Sequence, residues 1–311
     1  MPQTASNSIN ESVHVTVPLL VQLSRFASGL TLRSGRILAR QAGDYQSPFK
    51  GRGMEFDESR LYIPGDDIRN IDWRVTARTG KTHTKLYREE RERPVFVWVD
   101  YREPMFFATK GRYKSVIAAH LATLLAWSAI YHGDRVGGVI FSDYVHHELK
   151  PHRGKSAVLR MINQLAGHPA WHQNGSQAQD RDDNAGSRAL LRLRRVSRPG
   201  SLIFLISDFR NLDEAATLQM TLLGRHSDVV MLFIHDPLEA ALPSAGRYRV
   251  SDGADEVLVD TYDRQRVEAY HRRFIEHTRR LTLLSRKNRM RLISCSTRDD
   301  PFTVLQAGLK V

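Results

Sequence analysis

"VFVWVDYREP", residues 95–104, decides the fold. Five consecutive β-branched or aromatic residues end on an acid. A strand with one face in water alternates apolar with polar, whereas an unbroken apolar run fits a strand buried on both faces, as in a parallel sheet covered by helices on each side. The pattern recurs in "RVGGVIFSD" (135–143), "SLIFLISD" (201–208), "VVMLFIHD" (229–236) and "MRLISC" (290–295). Between these runs lie helix-period segments near 113–131, 155–165, 188–196, 213–223 and 263–287, and "HHELKP" (146–151) reads as a hairpin partner. In the first helix Tyr113, Val116, Ile117, Leu121, Leu124 and Leu125 share a stripe with His120, a core or boundary histidine on this reading, and Gly133 ends the helix. Strands alternating with helices specify a doubly wound, mostly parallel α/β domain over 93–311. Within it, 168–187 has few apolar anchors and reads as a mobile surface loop.

The first 92 residues differ. Residues 1–13 are polar and read as a disordered terminus, and 14–92 as a smaller, mostly β domain with one amphipathic helix near 17–28. The chain carries 46 Lys and Arg against 34 Asp and Glu, a net of +12, which favours anionic partners. Two runs concentrate the charge: Arg188, Arg192, Arg194, Arg195 and Arg198, then ten basic residues against two glutamates from Arg264 to Arg291. These are solvated helix faces, or they dock an acidic protein, an anionic membrane or a nucleic acid; stacking aromatics are sparse there, against single-strand binding. Cys295, the single cysteine, sits in a strand-like apolar run and reads as a buried thiol. The terminus has no secretory pattern, and "VIAAHLATLLAWSAIY" (116–131) falls short of the ~20 residues of a span. A cytoplasmic protein without a membrane span is expected.

Ligands of open α/β sheets bind beyond the carboxyl ends of the strands. Asp100, Asp208 and Asp236 stand at three such ends. Paired carboxylates there can hold a divalent cation or an arginine, and an Asp can also merely cap a helix, the favoured reading for Asp236. "TGKT" (79–82) and "RGKS" (153–156) lack the first glycine of a phosphate loop, Val75 and Leu149 standing there. His146, His147 and His152 read as exposed loop histidines, and "HHEL" lacks the second histidine of a zinc-protease motif.

"GRGMEFDESRLYIPGDDIRNIDWRVTAR" (51–78) is dense in both charges. Pro64, Gly65 and Asp66 suit a tight turn, and Asp66, Asp67, Arg69, Asp72, Arg74 and Arg78 can pair around Trp73 as apolar anchor, making a latch between the two domains. Together with "VFVWVD", "GDRVGGVIFSD", "KPHRG" and "LISDF", this string resembles the bacterial domain-of-unknown-function family 58 (DUF 58), in register from about Arg33 to Asp208. The resemblance implies a von Willebrand factor A-like second half, and a gene context beside MoxR-type AAA+ ATPases with a role in assembling or maturing other proteins. The von Willebrand A metal site, D-x-S-x-S, is degenerate: Asp100 and, by position, Asp208 match, but Arg102 and Pro104 replace the serines, leaving waters or Glu103 to make up the lost ligands. Arg102 is therefore expected to bridge Asp100 and Asp208 in place of Mg²⁺. The expected protein is a non-enzymatic adaptor without cofactor, its partner a MoxR-type ATPase, its binding rim Arg102, Arg153, Asp208 and Arg210. The rivals are a metal-dependent hydrolase using Asp100 and Asp208, and a nucleic-acid binder using the arginine helices.

Overall fold

The computed structural model describes residues 11–32, 54–89, 93–172, 182–243, 245–251 and 256–310, in two units. In the larger unit, helices α1 (Val17–Gln22) and α2 (Ser24–Ala27) precede strand β3 (Pro94–Asp100). The chain continues through α4 (Lys114–Tyr131), β4 (Arg135–Phe141), β5 (His146–His152), α5 (Lys155–Ala166), α6 (Ala185–Val196), β6 (Leu202–Ser207), α7 (Glu214–His226) and β7 (Asp228–His235). It ends with α8 (Pro237–Ala240), the antiparallel pair β8 (Arg247–Ser251) and β9 (Glu256–Asp260), α9 (Arg264–Lys287), β10 (Arg291–Ser296) and α10 (Pro301–Leu309). The smaller unit holds β1 (Met54–Leu61), α3 (Trp73–Thr79) and β2 (His83–Glu89).

Six strands form one sheet in the order β10-β7-β6-β3-β4-β5, parallel except for β5, which runs back against β4 as the hairpin reading required. The continuous apolar runs of β3, β4, β6 and β7 are buried on both faces, whereas the edge strand β10 buries Ile293 and Cys295 and exposes Ser294. In β3, Val95, Val97 and Val99 enter one core while Phe96 and Trp98 enter the other, and β6 and β7 divide in the same way. The chain leaves β3 toward β4 and β5, then crosses to the other side with β6, β7 and β10, so β3 and β6 flank a topological switch point.

Helices α1, α2, α4, α5 and α10 cover the first core, and α6, α7 and α9 the second. Helix α4 is buried from Lys114 to Ala129, all round rather than along one stripe, because other helices close over its outer side. Among the described residues it is the one helix long and apolar enough to cross a membrane, and 89% of it is buried inside the fold. His120 is buried, its pKa pushed down to about 4 by burial and then by Arg112, and Cys295 is buried with its thiol pushed up to about 12, mainly by burial. Gly138 lies where β4 meets β3: a Cβ there would stand 2.1 Å from the Val97 carbonyl oxygen. Gly138→Ala must push the central strands apart, and denaturant melts should show a loss of at least about 1–3 kcal/mol.

Several boundaries differ from the sequence reading. The helical segment 17–27 belongs to the large unit, because Leu20, Ala27 and Leu30 complete the core over α4. Ser12, inside the stretch read as disordered, accepts a hydrogen bond at 2.8 Å from the Tyr113 amide; residues 1–10 lie outside the described residues. The stretch read as a loop over 168–187 is anchored at both ends, with His168 and Ala170 buried beside Trp171 and Tyr101 and with α6 starting at Ala185; 173–181 lie outside the described residues. His146, His147 and His152 stand on β5 rather than in a loop, and His147 packs edge-on against His168.

The smaller unit is built by its acids. Asp66 closes the Pro64–Gly65 turn, accepting from the Ile63 amide at 3.0 Å and from Arg60 at 2.7 Å, with Gly65 at φ 109. Asp67 caps the short 3-10 turn 68–70 through the Arg69 amide, and Asp72 caps α3 through the Arg74 and Val75 amides while accepting from Ser59 Oγ at 2.8 Å. The Ser59 bond and the Val75 amide lead in holding Asp72 below the usual carboxylate range. Trp73 is not the anchor of this network: it is 70% exposed, and the acids are held by backbone amides, Ser59 and Arg60 instead. Arg69 and Arg78 make no ion pair among the described residues.

Candidate functional site: a charge-filled crevice at the switch point

Asp100 ends β3 and Asp208 follows β6, so adjacent strands deliver two buried carboxylates to one edge of the sheet. Each has its own cation. Arg102 turns back on Asp100, Nε at 3.0 Å from Oδ1 and Nη2 at 2.7 Å from Oδ2, and Ser207 Oγ donates to Oδ2 at 2.6 Å. The Arg102 amide also donates to Oδ1 at 2.9 Å. The guanidinium's outer nitrogens reach the carbonyls of Arg210 (3.0 Å) and Asn211 (3.4 Å). Burial works against a charged guanidinium, but the Asp100 charge and hydrogen bonds, with Asp208 and Asp143 behind them, hold the Arg102 pKa above its ordinary value.

Asp208 takes a different partner from the one expected. Lys114 Nζ, fully buried at the first turn of α4, lies 2.7 Å from Asp208 Oδ2 and 2.7 Å from Glu239 Oε1. Arg102 therefore does not bridge the two strand-end acids: its guanidinium is committed to Asp100 and two loop carbonyls, and the lysine arrives from the helix that follows β3. Burial would raise the Asp208 pKa, but the Lys114 charge and hydrogen bond, followed by the Arg210 amide, bring it below its usual value.

The loop after β6 is shaped to serve this pairing. Phe209 and Asn211 both adopt left-handed backbone, φ 54 and 52, in the turn that presents the Arg210 and Asn211 carbonyls to Arg102. Such conformations cost of order 1–3 kcal/mol each and are kept where surrounding contacts fix them. On α9, His277 Nε2 lies 2.9 Å from the Asp208 carbonyl, so that nitrogen carries the proton.

Asp236 is the helix cap its position suggested. It forms a capping box with Glu239 at α8 and accepts from Thr109 Oγ1 at 2.6 Å and Thr297 Oγ1 at 2.7 Å. The same Glu239 then neutralises Lys114, with Arg210 Nη1 3.4 Å away. Asp236 is therefore joined through Glu239 to the crevice. Glu103 contributes its backbone amide, donating to Asp143 Oδ2 at 2.8 Å.

Of the expected rim, Arg210 lies at the crevice mouth, 41% exposed, whereas Arg102 is buried. Arg153 is elsewhere. Because β5 runs antiparallel, pairing His146 with Phe141 and His152 with Val136, its end lies at the opposite edge of the sheet from Asp100 and Asp208. The hairpin residues Ser142–Val145, at the end of β4, occupy the rim position instead.

Sequence reasoning missed Lys114, Ser207, Asp143 and Glu239. Two had a signal: Lys114 is the lone charge on an otherwise apolar helix, and Asp-Pro-Leu-Glu at 236–239 has the spacing of a capping box. A divalent cation suits this crevice poorly. It would have to displace Arg102 from Asp100 and Lys114 from Asp208, leaving the buried guanidinium without a carboxylate and the ammonium with Glu239 alone, and Mg²⁺ requires near-octahedral oxygen coordination that the remaining donors do not offer. Among the described residues no group of three or more His, Cys, Asp or Glu is placed to hold a metal.

Fold and site define a mixed α/β protein with a mostly parallel sheet and an internally neutralised crevice at its switch point. The chain belongs to the family described as "Protein of unknown function DUF58", whose model matches residues 58–280. Among similar curated proteins, uncharacterized protein Mb1516 of Mycobacterium bovis and uncharacterized protein Rv1480 of Mycobacterium tuberculosis are each 29% identical over 216 residues. The match takes in 70% of this chain and 66% of each relative. Two solved structures share a distant likeness at a TM-score of 0.43. One is an aerotolerance-related membrane protein from Bacteroides fragilis, at 16% identity over 70% of this chain and 96% of that one. The other is the conserved hypothetical protein BatB from Bacteroides thetaiotaomicron, at 12% identity over 70% and 97%.

Proposed function

We propose that the protein is a non-enzymatic adaptor: a von Willebrand A-like module that binds a protein partner through the carboxyl edge of its sheet and works with a MoxR-type AAA+ ATPase in the cytoplasm, in assembly or maturation of client proteins. The observation that carries the reading is that Asp100 and Asp208 each have a buried cation of their own, Arg102 and Lys114. A crevice whose acids are all committed offers no free base or metal ligand, but it holds the surrounding loops in one shape, as a recognition surface requires. Arg210, 41% exposed, and the half-buried Tyr144 and Val145 of the hairpin form the rim. In the smaller unit Ile63, Ile68 and Trp73 are each more than half exposed, apolar surface of the kind partners cover.

Titration calorimetry with Mg²⁺ and Mn²⁺ should give no stoichiometric heat; binding that disappears in Asp208→Ala would reject the metal-free crevice. Purified from its native host, the protein should retain an AAA+ ATPase and change its turnover, with Arg210→Glu weakening retention. Recovery without any such ATPase would count against the adaptor role.

A further inference from the structure

The charge of this protein is sorted by layer. Helices α6, α7 and α9, side by side on one face of the sheet, carry thirteen Lys and Arg against three Glu, and all thirteen are exposed. The surplus of ten compares with +12 for the whole chain. On the other face, α1, α2, α4, α5 and α10 carry four basic residues, one of them the buried Lys114. Among the described residues only Arg188, with Asp182, and Arg266, with Asp263, have an ion-pair partner in the basic layer.

Helix α9 adds a second feature. Arg272, Ile275, Arg279, Leu283 and Arg286 follow at spacings of three or four, so they line one outward stripe in which cations alternate with apolar side chains. All five are exposed, Ile275 by 49% and Leu283 by 57%, and Leu218 on α7 is 55% exposed in the same layer. Among the described residues neither Ile275 nor Leu283 belongs to the apolar core. A broad layer of helices with fixed cations and protruding aliphatic side chains matches a surface that is anionic, wide and apolar just beneath its charges.

We propose that the α6–α7–α9 face docks on an anionic lipid bilayer, its arginines meeting headgroup phosphates while Ile275 and Leu283 enter the interface. Nucleic acid offers the phosphates but no place for the aliphatic groups, and the layer shows no exposed aromatic platform for bases. Juxtaposed basic residues each add to attraction toward such a leaflet, and salt weakens it. The outward stripe lies on the opposite side of α9 from His277, through which the helix meets the crevice.

Flotation of the whole chain with phosphatidylcholine vesicles, with and without phosphatidylglycerol, tests this. Binding is expected on the anionic vesicles alone and should fall as salt rises. The triple variant Arg272→Gln, Arg279→Gln, Arg286→Gln should bind about a hundredfold more weakly. The matched triple on the other layer, Arg25→Gln, Lys155→Gln, Arg160→Gln, should bind nearly as the parent does. Ile275→Ser with Leu283→Ser should lose several-fold on vesicles and nothing on duplex DNA. The proposal is overturned if the protein ignores anionic vesicles at low salt, if both triples lose equally, or if the serine variant binds vesicles as tightly as its parent.

Discussion

Replacing Lys114 by Met is expected to cost about 3–5 kcal/mol of folding stability, among the largest effects of a single change at this site. The ammonium is fully buried and is the shared counter-ion of Asp208 and Glu239, both at 2.7 Å. Methionine fills most of the space, so the loss comes from two carboxylates left in a dry site with only the partly exposed Arg210 near Glu239. The pH dependence identifies the cause. In the parent, the folded Asp208 pKa lies below its ordinary value, so its contribution is present above about pH 4 and disappears as pH falls through the folded pKa. In the variant the unpaired carboxylate should titrate above its ordinary value, so acidification neutralises it and relieves the folded state. The stability gap between parent and variant should therefore narrow from neutral pH toward about pH 4 in urea melts. A gap of the same size at both ends would mean that packing, and not charge, is what Lys114 supplies. Adding Asp208→Asn to Lys114→Met should recover part of the loss.

Arg102→Lys should behave almost as badly as Arg102→Met, with losses of about 3–5 kcal/mol for the methionine variant and most of that for the lysine. The guanidinium meets both oxygens of Asp100 through Nε and Nη2 while its outer nitrogens engage the Arg210 and Asn211 carbonyls. An ammonium restores the charge but cannot span both oxygens and the loop carbonyls at once. Hydrogen exchange should distinguish the two consequences. Loss of the carbonyl contacts frees the strained 209–211 loop, whose amides should exchange faster in both variants, whereas β3 and β6 should remain protected. Full stability in Arg102→Lys would show that charge alone suffices at Asp100.

These two residues also mark how far the chain could be read by itself. Arg102 and Asp100 are two positions apart, and their pairing is local enough to be anticipated, although the predicted second bond to Asp208 was not formed. Lys114 and Asp208 are 94 positions apart. A lysine at the start of a helix ordinarily reaches solvent, and no local pattern says that the loop after β6 and helix α8 will bring Asp208 and Glu239 to this one.

The sequence determined the sheet, because a strand buried on both sides must be apolar throughout, and it placed an acid at the end of β3, β6 and β7 alike. It also determined the turn and caps of the smaller unit, since Asp66, Asp67 and Asp72 act on amides within a few residues of themselves. What only the tertiary structure decided was partnership: which cation each buried acid receives, which edge of the sheet Arg153 occupies, and that the basic helices share one face. Strand direction and helix side are set by how distant apolar surfaces close on each other, and buried charges must then pair with whatever that closure brings within reach.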